Sequence, residues 1–511
     1  MYALLSTYPS MLRPLFKLTL ISLLCGAGTI VKADEKPVVY VKQPMAAFSS
    51  QADDALLGNK YAKPVWNLHD TLGLPQWLAA SVNQRTRYEG LSGTFRAKRL
   101  GGDQQITLQT DLWLEAELGA FRFATELMDS RAVGADAGSA VNSGMHNTAD
   151  FIQGYVSWVD KDLFGSHIGT EIKAGRQLLH LGSARLVSNP YYRNAPNSFT
   201  GAKIRFLDGN QWQFNGFVTM PVLRFPTAAN DILTDNHQFD QEETHTVFSG
   251  AFFEKSNVVF GVSGEVYMYH LNEADSWKNV THKRQYYTPG MRFYIKPAKG
   301  KFDFQTETMG QFGTVRYLTT STQDQMHQAW AEHVDLGYTF AMPWSPRLML
   351  EYDYASGSKN PGSTAGSSDQ RFDPLYGVVV GDFGPVGIYG PITRSNINSP
   401  GYKINLAPRS DLQFTFQQRF VWLASANDCW GPAACSPTPT LQPTKASGSY
   451  LGEQLGVTGR YDFNSSLNFD AGWFYLFKGQ FAKQGAATVN GTTTVPGFDT
   501  QYFYVQSQLR F

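Results

Sequence analysis

Charged side chains recur at every second position in several stretches of this chain, the spacing that sets residues on one face of a β-strand. Arg85, Arg87 and Glu89 form one such row, Lys203 and Arg205 another, and Arg292, Arg419 and Arg460 stand in similar surroundings. Acidic residues follow the same rhythm at Asp111, Glu115, Glu117, Glu126, Asp303 and Glu307. Such rows break no bonds. Lining a water-filled channel, they would screen a passing solute by its charge, whereas in a dry core the same unpaired charges would be costly.

The spacings that support catalysis are missing from the sequence. No serine lies in a G-x-S-x-G elbow, and Glu242-Glu243-Thr244-His245 is not the H-E-x-x-H pattern that binds zinc. The ten histidines show no paired spacing. The reading is therefore no enzyme, no metal and no cofactor.

The charges need elements that hold one wet face and one oily face. Between 106 and 118, Ile106, Leu108, Leu112, Leu114, Ala116 and Leu118 alternate with Gln109, Asp111, Glu115 and Glu117. Gly119-Ala120 leaves room only for a hairpin before Phe121, Phe123, Thr125 and Leu127 resume the oily face. Met291, Phe293 and Ile295 turn through Pro297-Ala298-Lys299-Gly300 into Phe302 and Phe304. Leu412, Phe414, Phe416, Phe420 and Trp422 form a further row, and so do Leu467, Phe469, Ala471, Trp473, Tyr475 and Phe477. The last ten residues alternate as well, with Phe503, Val505, Ser507, Leu509 and Phe511 opposite Tyr502, Tyr504, Gln506, Gln508 and Arg510.

Short turns alternate with long polar segments near 131–149, 224–245, 355–400, 424–450 and 480–498, the pattern of a barrel with small turns on one rim and large loops on the other. The segment 355–400, carrying Asp369, Arg371, Asp373 and Arg394, is long enough either to fold into the mouth and gate it or to cap the barrel. The expected fold is all-β: a membrane-spanning antiparallel β-barrel of about 18 strands, from roughly 25–28 residues per strand and connection. Phe and Tyr at strand ends are expected to form interfacial girdles, and no aromatic residue is assigned as a ligand contact.

At the N-terminus, Arg13 and Lys17 precede the apolar run Leu18–Val31, which predicts a signal peptide over 1–33 with cleavage near Ala33. Residues 34–80 read as a periplasmic segment with short helical turns at Leu68-His69-Asp70 and Pro75-Gln76-Trp77-Leu78, and 81–511 as the barrel. Beyond the leader no run of about twenty apolar residues would make a spanning helix. Removal of the leader leaves 40 Lys and Arg against 43 Asp and Glu, a balance that argues against nucleic acid as a partner. Cys25 falls in the leader. Cys429 and Cys435, in a Gly-, Pro- and Ser-rich segment, predict a small disulfide clasp in an oxidising compartment.

Several motifs, in order, resemble the alginate export family of outer-membrane barrels. They are Arg85-Thr86-Arg87-Tyr88-Glu89, Glu126 with Asp129-Ser130-Arg131, Ala174-Gly175-Arg176-Gln177 with Gly182 and Arg185, Ser198-Phe199 leading to Gly201 and Lys203, Phe372-Asp373-Pro374-Leu375-Tyr376, and Leu476-Phe477-Lys478-Gly479. The resemblance implies a monomeric barrel in the bacterial outer membrane, in contact with its lipid. It also implies passive passage through a basic constriction suited to an anionic solute, an alginate-like polyuronate or a related organic anion. Carried over, Arg85, Arg87, Arg176, Arg185, Arg193, Lys203 and Arg205 become pore candidates, with Glu89, Glu126 and Asp129 orienting them; Arg131, in the same motif as Asp129, joins the lining, as do Arg292, Arg419 and Arg460 by their place on the wet face of their strands. Strict alternation sets Arg176 beside outward Ile172 and Ala174, so a bulge at Gly175 is expected to turn it inward. The alternative is a general or nutrient-uptake porin for small, including neutral, solutes.

Overall fold

The computed structural model describes residues 64–95, 102–136, 138–189, 192–276, 280–362, 368–430, 448–484, 488–489, 492–493 and 498–511. The expected leader lies outside these residues, as does Cys435, the expected partner of the buried Cys429.

The first six barrel strands are β1 Leu78–Ser92, β2 Gly102–Leu118, β3 Phe121–Val133, β4 Asn147–Asp160, β5 Gly169–Gln177 and β6 Phe199–Asp208. The next six are β7 Trp212–Leu223, β8 Thr246–Val259, β9 Val262–Glu273, β10 Gln285–Ile295, β11 Phe302–Val315 and β12 Gln325–Thr339. The last six are β13 Arg347–Ala355, β14 Ile397–Arg409, β15 Leu412–Trp422, β16 Tyr450–Asp462, β17 Leu467–Lys478 and β18 Thr500–Arg510. Each pairs antiparallel with its neighbours in sequence, and β18 closes on β1 from Asn83↔Arg510 to Ser92↔Gln501. The sheet's nineteenth member is the two-residue strand Gln241–Glu242, which pairs only with Val222 and Leu223 at the end of β7. The result is a closed antiparallel barrel of eighteen strands. Closure matters because an open edge would leave unpaired N–H and C=O groups that hydrocarbon cannot satisfy.

Residue types sort between the two faces as a bilayer demands of a barrel. On β2, Ile106 and Leu114 are exposed outward while Gln105, Thr107, Gln109, Asp111 and Glu115 are buried inside. On β17 the outward set is the predicted Leu467, Phe469, Ala471, Trp473, Tyr475 and Phe477. On β18, Phe503 and Val505 face out, and Tyr502, Tyr504 and Gln506 face in. Before β1, Leu68–Leu72 is a single helical turn capped by the Asn67 side chain. The second expected turn does not become helix, since β1 already begins at Leu78. Trp66 donates its backbone N–H to Ser466 Oγ (2.9 Å) and its ring lies 6.4 Å from that of Phe511, tying this segment to the rim.

Short turns at one end, such as 119–120, 260–261 and 410–411, and long loops at the other bear out the expected polarity. Barrels of this strand number enclose more space than their own side chains fill. The described residues of two long loops take it up: 178–189 and 192–198, between β5 and β6, and 356–362 and 368–396, between β13 and β14. They meet in a parallel bridge, Val187↔Tyr376, with Tyr376 N–H to Leu186 O (3.0 Å) and Val378 N–H to Ala184 O (3.0 Å). Around them lies an interior core of Leu179, Leu186, Phe199, Phe248, Phe372 and Tyr389. The expectation of girdles therefore accounts for only part of the aromatic content. Phe217, Phe248, Phe252, Tyr267 and Tyr269 lie inward, because the inserted loops need an apolar bed.

Candidate pore and its septum

Two cavities open along the barrel axis, and among the described residues they share no lining residue. One, of about 1190 Å³, lies toward the short turns, and the other, of about 790 Å³, toward the long loops. Three strands show what separates them. On β9, Glu265 lines the turn-end cavity and Glu273 the loop-end cavity, with buried Tyr267 and Tyr269 between. On β12, Asp335 and His327 line the two cavities and His333 stands between them. On β11, Asp303 and Val315 bracket Glu307.

At that level a layer of interlocked charges crosses the lumen. Arg185, on the first inserted loop, donates through Nε and Nη2 to both oxygens of Asp382 (2.9 and 3.1 Å) and through Nη1 to Glu307 (2.7 Å). Asp382 belongs to a short helix, Val380–Phe383, on the second loop, and also accepts from Arg394. Arg419 donates to Glu351 (2.9 Å) and pairs with Asp353 at 2.7 Å, while Lys403 donates to Glu351 (2.6 Å) and to Gly381 O (2.7 Å). Buried charges survive only in such mutual company. Burial alone would raise the Asp382 carboxyl, but Arg185, His333 and Arg394 outweigh it and hold the group well below the usual carboxylate range. His333, Asp353 and Asp382 bring ligand atoms within 4.8 Å of one another. Guanidinium groups already occupy both carboxylates, so this cluster is built for charge pairing and not to hold a cation.

The N-terminal row takes its expected inward direction. Arg85 donates to Arg193 O (2.8 Å) and Asn194 Oδ1 (3.1 Å), fixing the first loop. Arg87 donates to Glu89 (2.8 Å), and the other Glu89 oxygen accepts the backbone N–H of Ile388 (3.4 Å) on the second loop. Glu126 is buried inside and accepts from Gln153 (2.6 Å). Lys203, Arg205 and Arg292 line the turn-end cavity, with Arg292 pairing with Glu265 at 2.6 Å. Arg460 lies inside near the turns, against Asp462 at 2.8 Å.

Three candidates face the other way. Asp129 and Arg131 share the outward parity of Phe123 and Leu127, and Arg131 pairs with Asp129 (2.9 Å) and with Asp235 outside the lumen. Arg176 also stays outward, donating to Glu242 (2.6 Å) and Phe151 O (2.8 Å). The expected bulge at Gly175 does not form. Pairing runs without a slip from Gly169↔Leu207 to Gln177↔Phe199, and Gly175, at φ +130°, permits a close approach to Tyr155 instead.

Toward the loops, Arg193 and Arg224 form a cationic pair. Arg224 donates to Ser143 O (3.2 Å), Pro196 O (3.1 Å) and Asn197 Oδ1 (2.5 Å), all uncharged acceptors. Burial and the like charge of Arg193 push its guanidinium down to about 10, and burial lowers Arg193 as well. Nearby, burial raises Asp240 to about 6. Sequence reasoning missed Arg224, Asp382, Glu351, Asp353 and His333. For the last three the signal was strand parity, since they share the inward phase of Arg347 and Met349 or of His327.

A family model for alginate export matches residues 76–495. The chain belongs to the alginate export family. Membership places this alginate export family protein in the bacterial outer membrane and gives it a transport architecture without catalysis. Its motif residues Gly182, Arg185, Ser198, Phe199 and Phe372–Tyr376 all fall in or beside the two inserted loops, and the Tyr376 ring packs edge-on against Phe199 at 5.0 Å. Pseudomonas aeruginosa OpdQ shares the fold with a TM-score of 0.52 at 11% identity, covering 85% of this chain and 97% of its own. Pseudomonas aeruginosa OccK8 (OprE) gives 0.51 at 11%, covering 85% and 98%. Acinetobacter baumannii OccAB1 gives 0.51 at 11%, covering 85% and 97%. No curated protein matches the chain.

Proposed function

We propose that this outer-membrane channel passes an anionic solute passively, an alginate-like polyuronate or a related organic anion, selected by charge along the lumen. The carrying observation is the Arg193–Arg224 pair in the loop-end cavity, whose guanidinium charge is met by neutral acceptors at Arg224. Six arginines and four carboxylates line that cavity, so an anion entering from the loop end meets an attractive field focused by low-dielectric walls. In this reading the long loops lie outside the cell and the short turns in the periplasm, the apolar outward belt contacts lipid, and the barrel works as a monomer. The turn-end cavity, with seven basic and six acidic lining residues, favours as a second reading a nutrient-uptake porin that also admits neutral solutes. Flux into proteoliposomes separates the two. Glucuronate and short uronate oligomers should enter faster than glucose of similar size, and equal or slower entry would favour the second reading.

A further inference from the structure

The septum contains a carboxylate held as a bound anion would be. Arg185 grips both Asp382 oxygens in the fork geometry that guanidinium groups use for carboxylates, and Arg394 adds a second donor to Oδ2. Arg185 is positioned in turn by Glu307, whose second oxygen accepts from Tyr267 OH (2.7 Å). Two arginines are thus preset around one acidic group, and that group rides on a four-residue helix inside a loop.

The one buried apolar anchor of this helix is the Phe383 ring, under the Arg394 and Arg419 guanidinium groups, and two of its attachments to the wall are polar and exchangeable. Gly381 O accepts from Lys403 (2.7 Å), and Phe383 O accepts from Gln454 (2.7 Å). Downstream, Gly384 and Gly387 have φ of +97° and +88°, values open to glycine, and they give the segment two pivots immediately after the helix. Val380 lines the loop-end cavity, so space exists on that side for the helix to swing into.

We propose that Arg185 and Arg394 form a carboxylate-binding site at the septum, that Asp382 fills it in the closed channel, and that the carboxylate of a permeating solute displaces Asp382 and moves helix Val380–Phe383 aside. The inference rests on the anionic-solute reading and adds to it the site of recognition and the gate. Occupied by its own loop, the site resists leakage; exchanged for a solute carboxylate, the two arginines keep a partner throughout. A neutral sugar offers nothing to exchange.

The test is planar-bilayer recording of the full chain with sodium glucuronate as the probe and glucose as the control. Asp382→Asn removes the internal competitor with almost no change of shape. If Asp382 fills the site at least nine-tenths of the time, the half-saturating glucuronate concentration falls about tenfold or more in this variant, with no response to glucose. Asp382→Glu, which keeps the charge, should stay near the wild-type value and covers the case in which the asparagine variant fails to fold. An Arg394→Gln change should raise the half-saturating concentration. An unchanged glucuronate response in Asp382→Asn, or a shift in Asp382→Glu as large as that in Asp382→Asn, overturns the proposal. If the reversal potential in a KCl gradient still reports anion preference, only the gate has failed; if that preference is also absent, the anionic-solute reading fails with it.

Discussion

The Arg87 guanidinium lies 4.0 Å from the centre of the Tyr192 ring, and the Tyr192 hydroxyl lies 2.6 Å from that of Tyr502. One contact comes from β1 and the other from β18, so the first inserted loop is bound across the seam where the barrel closes. Cation–π and hydroxyl contacts in a dry setting contribute together more than either would at a surface. Tyr192→Ala should loosen loop 178–198, raise single-channel conductance and expose the loop to protease, whereas Tyr192→Phe, which keeps the ring, should do much less. Equal behaviour of the two variants would mean that the ring is not what holds the loop.

A pH response follows from Asp240. Its carboxyl is raised to about 6 by burial and by the Asp150 carboxylate, so it is ionised above that pH and neutral below it. When ionised it partly offsets the charge of Arg224; when protonated it leaves the Arg193–Arg224 pair uncompensated. Anion preference should therefore be greater at pH 5 than at pH 8, as read from reversal potentials. Asp240→Asn should hold the pH 5 behaviour at both values, and a pH response of full size in that variant would assign it to another group.

Glycine is required where the second loop passes Glu89. A Cβ on Gly387 would sit 2.6 Å from Glu89 Oε2, at a backbone φ of +88°. Gly387→Ala should cost on the order of 1–3 kcal/mol of local stability. Hydrogen exchange over 384–390 is the measurement. Faster exchange is expected there, with the barrel strands unchanged, and identical exchange would contradict the close approach.

The outward belt makes a further demand. Val505, 55% exposed at the middle of β18, should tolerate leucine, while Val505→Arg should destabilise the barrel by about 2–4 kcal/mol in bilayer unfolding titrations. A cost near zero would place this face in water.

The strands were legible because water and hydrocarbon impose opposite demands on alternate residues. Phe469, Trp473 and Phe477 could be assigned to a face from parity alone. Asp129, Arg131 and Arg176 were misdirected because resemblance to a motif overrode that same parity, and their long or rim-placed side chains find partners outside the lumen. The septum was hidden for another reason. Asp382 and Arg394 lie in a loop, where no period reports direction, and the 178–198 loop was not recognised as an insertion because its apolar residues, Leu179, Leu186 and Val187, pack inside the barrel and resemble strand content. The expectation that 355–400 could enter the mouth did capture half of the plug.

The most direct measurement is the reversal potential of the purified barrel in a planar bilayer under a KCl gradient, with and without the double change Arg193→Gln and Arg224→Gln. The wild-type potential should lie on the chloride side of zero and move toward zero in the double variant. A wild-type potential at zero or on the potassium side would contradict the account.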